Sequence, residues 1–257
     1  MPTYKTAFAA LSLILAFLPL SVFSAGDQKE APLKLSVRTG DGGQEKKRHL
    51  RKIRSYLSNK GCRVDVSFID KESPTPREID LEFSPEPLSL AKARLTGFHL
   101  LLQARTIENK TEMGGAILVI AATGVDKLNL IKGERISFVS TSSQSGYLLP
   151  LKMLEEAGVT PNSEQSIFVG NHVGSVSMLL HGDTFAAAAA APLARDWMTI
   201  NKELAIVALT PLVETGGWWI HQRIAEAQGT LCAQAIAELS GSQLKAFPAW
   251  VGGFNPR

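Results

Sequence analysis

Three successive strand–loop–helix units constrain the fold more than any other feature of this chain. They run over 135–157, 166–181 and 184–200. Each begins with a short apolar stretch and continues, after a loop, with apolar residues at helical spacing. Strands that alternate with helices favour a parallel sheet with right-handed crossovers. We therefore predict an α/β fold for this region.

Ligands in such sheets bind beyond the carboxyl ends of the strands, so the loops after the three predicted strands should share one rim. These loops are 140–145, 170–173 and 190–192. The second of them holds His172. A histidine there could be structural, could add positive charge to a bound dianion when protonated, or could donate one hydrogen bond when neutral.

Hydroxyl-bearing residues fill the first loop, 140–145, between a predicted strand over 135–139 and a helix that ends near Gly158. The first amide groups of a helix lack internal partners and carry partial positive charge, and serine hydroxyls add further donors. The pattern is typical of an ordinary loop with a helix N-cap, and it also suits a seat for a tetrahedral oxyanion. Pro150 restricts how early the regular helix can begin.

The order of residues here resembles that of a known family. Residues 143–150, Ser-Gln-Ser-Gly-Tyr-Leu-Leu-Pro, resemble the Ser-Thr-Ser-Gly-Tyr-Leu-Leu-Pro signature of periplasmic phosphonate-binding proteins of ABC transporters. Further stretches resemble the family's Leu-Lys-Gly-Lys, Leu-x-x-x-Gly-Ile, Phe-x-Gly-Ser-His and Leu-x-x-Gly-Glu motifs, in that order: 130–135, 154–159, 168–172 and 179–183. Ser84-Pro85, with a helix predicted over 88–94, resembles the family's first-lobe side of the cleft. The resemblance is close over about 130–192 and loose elsewhere.

The resemblance implies an α/β fold of the two-lobed type II periplasmic binding protein class. Each lobe would be a mainly parallel sheet flanked by helices, with the ligand cleft between the lobes. We expect the first lobe to comprise 25–118 and 211–257, and the second lobe 119–210. The expected ligand-binding residues are Ser142, Ser143, Gln144, Ser145, Gly146, Tyr147 and His172.

The implied function is capture of a phosphonate, phosphate or related oxyanion for an ABC transporter. The partners would then be the small ligand and an ABC permease, and the protein would act as a monomer. One alternative is a ligand-sensing subunit that presents its closed form to a membrane receptor. The other is an enzyme acting on a phosphate ester, for which the sequence offers no nucleophile elbow, P-loop or metal-ligand spacing. No cofactor or metal is expected.

Two departures from the family pattern bear on the ligand. Phe185 stands where the family commonly carries an aspartate, and Gln144 replaces a threonine. We therefore expect a plain or apolar-substituted oxyanion rather than an aminophosphonate. The alanines that follow Phe185 predict a close-packed strand, Trp218 and Trp219 predict packing positions, and the pattern predicts no element over 250–257.

Residues 1–24 have the pattern of a signal peptide that is cleaved near Ala25, which indicates a periplasmic protein. Lys5 supplies the positive start and the apolar core runs from Phe8 to Phe23. A membrane anchor is the competing interpretation, but the apolar run is short and contains Pro19.

The formal net charge of +3 and an aromatic content of 7% give no reason to expect a nucleic-acid partner. The two cysteines, Cys62 and Cys232, could pair in an oxidising compartment. Two unpaired thiols are the default expectation, because sequence does not show whether their Cα atoms lie close enough.

Overall fold

The computed structural model describes residues 31–38, 44–70 and 73–256, and for residues 44–46 the backbone only. The signal peptide predicted over 1–24 lies outside the described residues. Within them, no helix combines the length and apolar character that crossing a membrane requires.

Strands and helices alternate over 135–200, as the sequence pattern predicts. The strands are β1 (Leu33–Arg38), β2 (Val64–Ile69), β3 (Leu81–Ser84), β4 (Phe98–Thr106), β5 (Glu112–Met113), β6 (Gly115–Ile120), β7 (Ile136–Phe138), β8 (Ser166–Phe168), β9 (Ala186–Ala190), β10 (Leu204–Leu209), β11 (Val213–Glu214), β12 (Gly217–His221) and β13 (Val251–Pro256). The helices are α1 (Gln44–Asn59), α2 (Leu88–Arg94), α3 (Leu149–Glu156), α4 (His172–Leu180), α5 (Ala191–Ile200) and α6 (Glu226–Ala237).

The strands form two large sheets and one short ladder. The first sheet has the order β13-β4-β12-β3-β1-β2, the second has the order β10-β6-β9-β7-β8, and β5 pairs with β11. Parallel pairing occurs in β8-β7-β9, where helical crossovers were expected, and also in β2-β1-β3. The other pairs are antiparallel, so each sheet is mixed rather than mainly parallel. The antiparallel pairs arise because the chain enters β6 from the first sheet and enters β12 from the second sheet. These two strands therefore run away from the rim at which the parallel strands end.

Two extended segments connect the sheets side by side. The Gly115 amide donates to the Thr210 hydroxyl at 2.8 Å, and the Thr210 amide donates to the Gly115 carbonyl at 3.0 Å. Strand β6 belongs wholly to the second sheet. The lobe boundary expected at 118/119 therefore moves to Gly114, because a boundary inside β6 would divide one strand between two lobes.

An aromatic cluster fills the core beneath the first sheet. Phe83 lies 4.9 Å from Phe247 and 5.6 Å from Trp218, measured between ring centroids, and Phe254 packs against all three rings. Trp218 is fully buried, which confirms its predicted packing position. Phe254 belongs to β13, an edge strand within the stretch for which the sequence pattern predicts no element.

The alanine run forms β9 at the centre of the second sheet, as expected. All five of its residues are fully buried. Their small side chains let α4 approach the sheet so closely that the Ser175 hydroxyl donates to the carbonyl oxygens of Ser137 and Ala188, each at 2.9 Å. This packing fixes where α4 begins.

Cys62 and Cys232 form a disulfide with a Cα–Cα distance of 4.9 Å, so the default expectation of two unpaired thiols is wrong. Cys62 follows α1 and Cys232 lies on α6, and both are buried. The bond closes a loop across a sequence separation of 170, which joins the amino-terminal and carboxyl-terminal parts of the first sheet's helical layer.

We predict that replacing both cysteines by alanine lowers the free energy of unfolding by about 2–5 kcal/mol, because the disulfide restricts the unfolded chain. The measurement is urea denaturation with and without reductant. Reductant should destabilise the wild type and leave the Cys62→Ala/Cys232→Ala variant unchanged. Equal stability of the oxidised wild type and the double variant would contradict the assignment.

A bidentate ion pair joins the turn after β4 to helix α5. Arg195 Nε lies 2.5 Å from Glu108 Oε1, and Arg195 Nη2 lies 2.6 Å from Glu108 Oε2. The hydrogen bond from Arg195 lowers the pKa of Glu108 below its usual value. A depressed carboxyl pKa stabilises the fold above the pKa of the unfolded chain, and this stabilisation is lost as pH falls through the folded pKa.

Glu108→Gln should therefore lower the free energy of unfolding at pH 7 by about 0.2–1 kcal/mol, the range for pairs that stay in contact with water. The difference from the wild type should be smaller at pH 3, because the stabilisation is lost as pH falls through the lowered pKa of Glu108. Urea titrations at the two pH values measure both quantities. Glu134→Gln, at an exposed glutamate elsewhere, is the matched control and should show no such pH-dependent difference.

Candidate ligand-binding site

A cavity of about 860 Å³ lies at the rim where both sheets end. The second sheet contributes the serine loop and the start of α4. The first sheet contributes the loop between β3 and α2, residues of α1, and the segment that leads into β13. The lining residues are His49, Pro85, Glu86, Pro87, Leu90, Met113, Val139, Ser142, Ser143, Gln144, Ser145, Leu148, Gly170, Asn171, His172, Val173, Gly241, Leu244, Lys245, Phe247, Pro248, Ala249, Trp250 and Val251.

The serine loop becomes helical earlier than α3, through one wide turn over Gln144–Leu148. Ser143 caps this turn, because its hydroxyl oxygen accepts from the Gly146 amide at 3.2 Å. The bond from the Leu148 amide to the Ser143 carbonyl at 2.9 Å spans five residues, which is the π-helical pattern often found at functional sites. Pro150 is tolerated because it falls in the first turn of α3.

Two glycines allow the turn to lie close against its surroundings. A side chain at Gly146 would overlap Val139, and a side chain at Gly115 would overlap the carbonyl oxygen of Ser145. The turn therefore rests directly on the backbone of β6. Ser143 and Ser145 are only 5% and 3% exposed although both line the cavity, and the Ser143 hydroxyl is held by the Gly146 amide.

The structure brings together five of the seven residues expected to bind ligand: Ser142, Ser143, Gln144, Ser145 and His172 all line the cavity. Gly146 and Tyr147 are not among its lining residues in the described chain. The Gly146 amide already donates to Ser143, and the Tyr147 ring packs against Phe138 at 5.1 Å and Phe168 at 5.0 Å. The Gly146 amide and the Tyr147 ring are thus engaged within the lobe, and ligand contact by the backbone amides of these two residues stays a prediction.

His172 is the first residue of α4, whose N-cap Asn171 accepts from the Gly174 amide at 2.7 Å. The Ala190 amide donates to His172 Nδ1 at 3.1 Å. A nitrogen that accepts a hydrogen bond carries no proton, so the ring is in its neutral form with the proton on Nε2. Of the alternatives for His172, this favours a neutral donor over a charged one. It also shows how the loop at 190–192 reaches the site, through the backbone of Ala190.

Sequence reasoning missed several first-sheet residues that line the cavity. The Glu86 carboxylate accepts from Arg94 Nε at 3.1 Å and from the Ser84 hydroxyl at 3.2 Å, so its charge is already paired. Lys245 is exposed and is the only lysine or arginine on the lining in the described chain. The Ser84-Pro85 resemblance pointed to the Glu86 region. No local signal marked Lys245, because the chain returns to the cavity from far away in sequence.

Phe185 lies at the opposite end of the second sheet from the cavity. It immediately precedes β9, whereas the cavity adjoins the carboxyl end of that strand at Ala190. At about 3.3 Å per residue the strand separates them by roughly 16 Å. The interpretation of Phe185 as a determinant of ligand choice is therefore wrong, because sequence position along the motif does not show which end of the strand faces the ligand.

Two α/β lobes that are joined by paired extended segments and enclose a cavity at their common rim define the class of two-lobed ligand-binding proteins that close by hinge motion. The family model for the periplasmic substrate-binding protein of phosphonate ABC transporters matches residues 81–255. The chain belongs to this family, whose members are substrate-binding transport proteins and not enzymes.

Solved structures confirm the two-lobed α/β fold. A binding-protein component of an ABC phosphonate transporter from Pseudomonas aeruginosa superposes with a TM-score of 0.64 at 13% identity, covering 88% of this chain and 82% of that one. PhnD1 from Prochlorococcus marinus, in complex with methylphosphonate, gives 0.64 at 18% identity over 88% and 92%. A protein from Xanthomonas citri bound to ATP gives 0.60 at 16% over 88% and 92%. No curated protein matches the sequence.

Two substitutions separate the roles of the two His172 nitrogens. The amide oxygen of asparagine takes the place of Nδ1, and the amide nitrogen of glutamine takes the place of Nε2. We predict that His172→Asn keeps the melting temperature but weakens methylphosphonate binding about 10- to 100-fold, the effect of one lost hydrogen bond to a charged group. His172→Gln should keep affinity within a few-fold and melt at a lower temperature. Calorimetry and thermal melting test both, and wild-type methylphosphonate affinity in both variants would assign His172 to the structure alone.

Proposed function

We propose that this protein captures a phosphonate, phosphate or related oxyanion in the cavity between its lobes and delivers it to an ABC permease as a monomer. The proposal includes secretion to the periplasm after cleavage of the segment 1–24. The observation that carries it is the convergence of buried serine hydroxyls and two helix starts on one side of the cavity. The methylphosphonate complex of the structurally similar Prochlorococcus protein supports a ligand of this class.

In this proposal Ser142, Ser143, Gln144 and Ser145 surround the oxyanion from the second lobe. The turn that begins at Gln144 offers backbone amides, and the start of α4 offers a second set. His172 donates from Nε2. Gly146 and Tyr147 shape the turn from behind. The donors are uncharged apart from the partial charge of the helix starts, which suits an anion that must later be released to a permease.

A thermal-shift screen with phosphate, phosphite, sulfate and methylphosphonate tests the function directly. A ligand at one hundred times its Kd stabilises the folded state by about 2.7 kcal/mol, which gives a clear rise in melting temperature. We expect at least one phosphorus oxyanion to raise it. If none of them does at millimolar concentration, the proposed ligand class is wrong.

Ser145→Ala should weaken binding of the stabilising oxyanion about tenfold or more, because a hydrogen bond to a charged group is worth about 1.5–3 kcal/mol. Ser143→Ala should also lower stability by about 1 kcal/mol, because Ser143 caps the turn. Isothermal calorimetry and urea denaturation measure the two effects. Ser163→Ala, at an exposed serine away from the cavity, is the matched control, and wild-type affinity in Ser145→Ala would remove Ser145 from the site.

A further inference from the structure

The first-lobe side of the cavity is mostly apolar, unlike the serine side. It presents Pro85, Pro87, Leu90, Leu244, Phe247 and Trp250. Three polar residues, His49, Glu86 and Lys245, complete it. Glu86 is paired with Arg94, and Lys245 is exposed to solvent. An oxyanion that occupies the serine loop would therefore direct its remaining substituent at a largely apolar surface.

This apolar wall is preformed. Phe247 and Trp250 are 3% and 2% exposed, and Phe247 is fixed by ring contacts to Phe83 at 4.9 Å and Phe254 at 5.1 Å. The carbonyl of Trp250 accepts from the Ile107 amide at 2.9 Å, which anchors the segment to the first sheet. The Phe247 ring and the backbone at Trp250 are therefore fixed by contacts within the first lobe.

The size of the cavity exceeds what a methyl group needs. About 860 Å³ lies within the range of roughly 300–1,000 Å³ that holds drug-sized ligands. Leu90, at 51% exposure, lines the cavity from α2, and Leu148, at 41%, lines it from the serine side. Exposed apolar side chains on a cavity wall gain from a ligand that covers them.

We propose that the site selects phosphonates whose carbon substituent is apolar and several carbons long, such as propyl- or phenylphosphonate. The proposal rests on the proposed function and names its substrate class. The substituent lies against the first-lobe wall while the phosphonate oxygens occupy the serine loop. The cavity's one acidic side chain in the described chain, Glu86, is paired with a guanidinium, so an ammonium on the substituent finds the positive charge of Arg94 next to the carboxylate and loses its own hydration.

Calorimetry with matched ligands tests this. Methyl-, ethyl- and propylphosphonate should bind with Kd values that fall about fourfold per added methylene, the value for a methylene that leaves water completely. Propylphosphonate and 2-aminoethylphosphonate have the same number of heavy atoms, and we expect the propyl compound to bind at least tenfold tighter. Equal affinity across the alkyl series, or tighter binding of the amine, would overturn the proposal.

Two variants test whether the gain in affinity with chain length comes from the first-lobe wall. Leu90→Asn and Leu244→Asn should each reduce the gain from methyl- to propylphosphonate at least threefold, with the gain measured relative to methylphosphonate binding by the same variant. Ile200→Asn, at an exposed apolar residue outside the cavity, is the control and should keep the full gain. A full gain in both wall variants would place the substituent elsewhere and overturn the proposal. If methylphosphonate binds without any chain-length gain, or if only phosphate or phosphite binds, this inference alone fails; if none of the screened oxyanions binds, the proposed function fails with it.

Discussion

The contact between the Ser145 carbonyl and the backbone of Gly115 determines where the serine loop lies. Gly115 is also the residue whose amide and carbonyl both bond to Thr210, on the second segment that connects the sheets. The serine loop, the proposed seat for the ligand, therefore packs directly on the crossing between the lobes. Hinge motion about this crossing would carry the first-lobe wall towards the serine loop without deforming the loop itself, because the loop's contacts lie within the second lobe and at the pivot.

In the first lobe, a buried network of charged side chains fixes the loop that faces the cavity. The Glu82 carboxylate is fully buried and lies 2.8 Å from Arg38 and 2.8 Å from Arg94. The hydroxyl of Thr75 donates to the same carboxylate at 2.7 Å, and Arg94 continues to Glu86 at the cavity. The cost of removing these charges from water cancels much of their mutual attraction. The network therefore contributes more to the local geometry than to the free energy of unfolding. The network fixes the loop between β3 and α2, and it pairs the cavity's acidic side chain, Glu86, with Arg94.

Sequence patterns predicted the features that depend on interactions between residues close together in the chain. Helix α2 covers residues 88–94, over which a helix is predicted from the sequence, and the serine loop falls at a strand end as expected. The rest depends on contacts between residues far apart in sequence. The Cys62–Cys232 bond requires α6 to pack beside α1, and β13 is an edge strand because it finds β4. Lys245 and Trp250 reach the cavity through the same return of the chain. The error at Phe185 has a related cause, since the two ends of a strand look alike in sequence and only the direction of β9 in its sheet distinguishes them.

The division of labour between the lobes explains how such a site can discriminate among similar anions. Phosphate, sulfate and phosphonates all present three oxygens in a tetrahedral arrangement, so in the proposed site the donors at the serine loop and His172 would recognise a feature that these ligands share. They differ in the fourth substituent, which is an oxygen or a carbon group. A largely apolar first-lobe wall leaves an oxygen there without hydrogen bonds, at the cost of an unsatisfied buried polar group, and accepts a carbon group without that loss. Specificity is a difference between affinities, and here the rejecting element lies on the lobe opposite the anion seat.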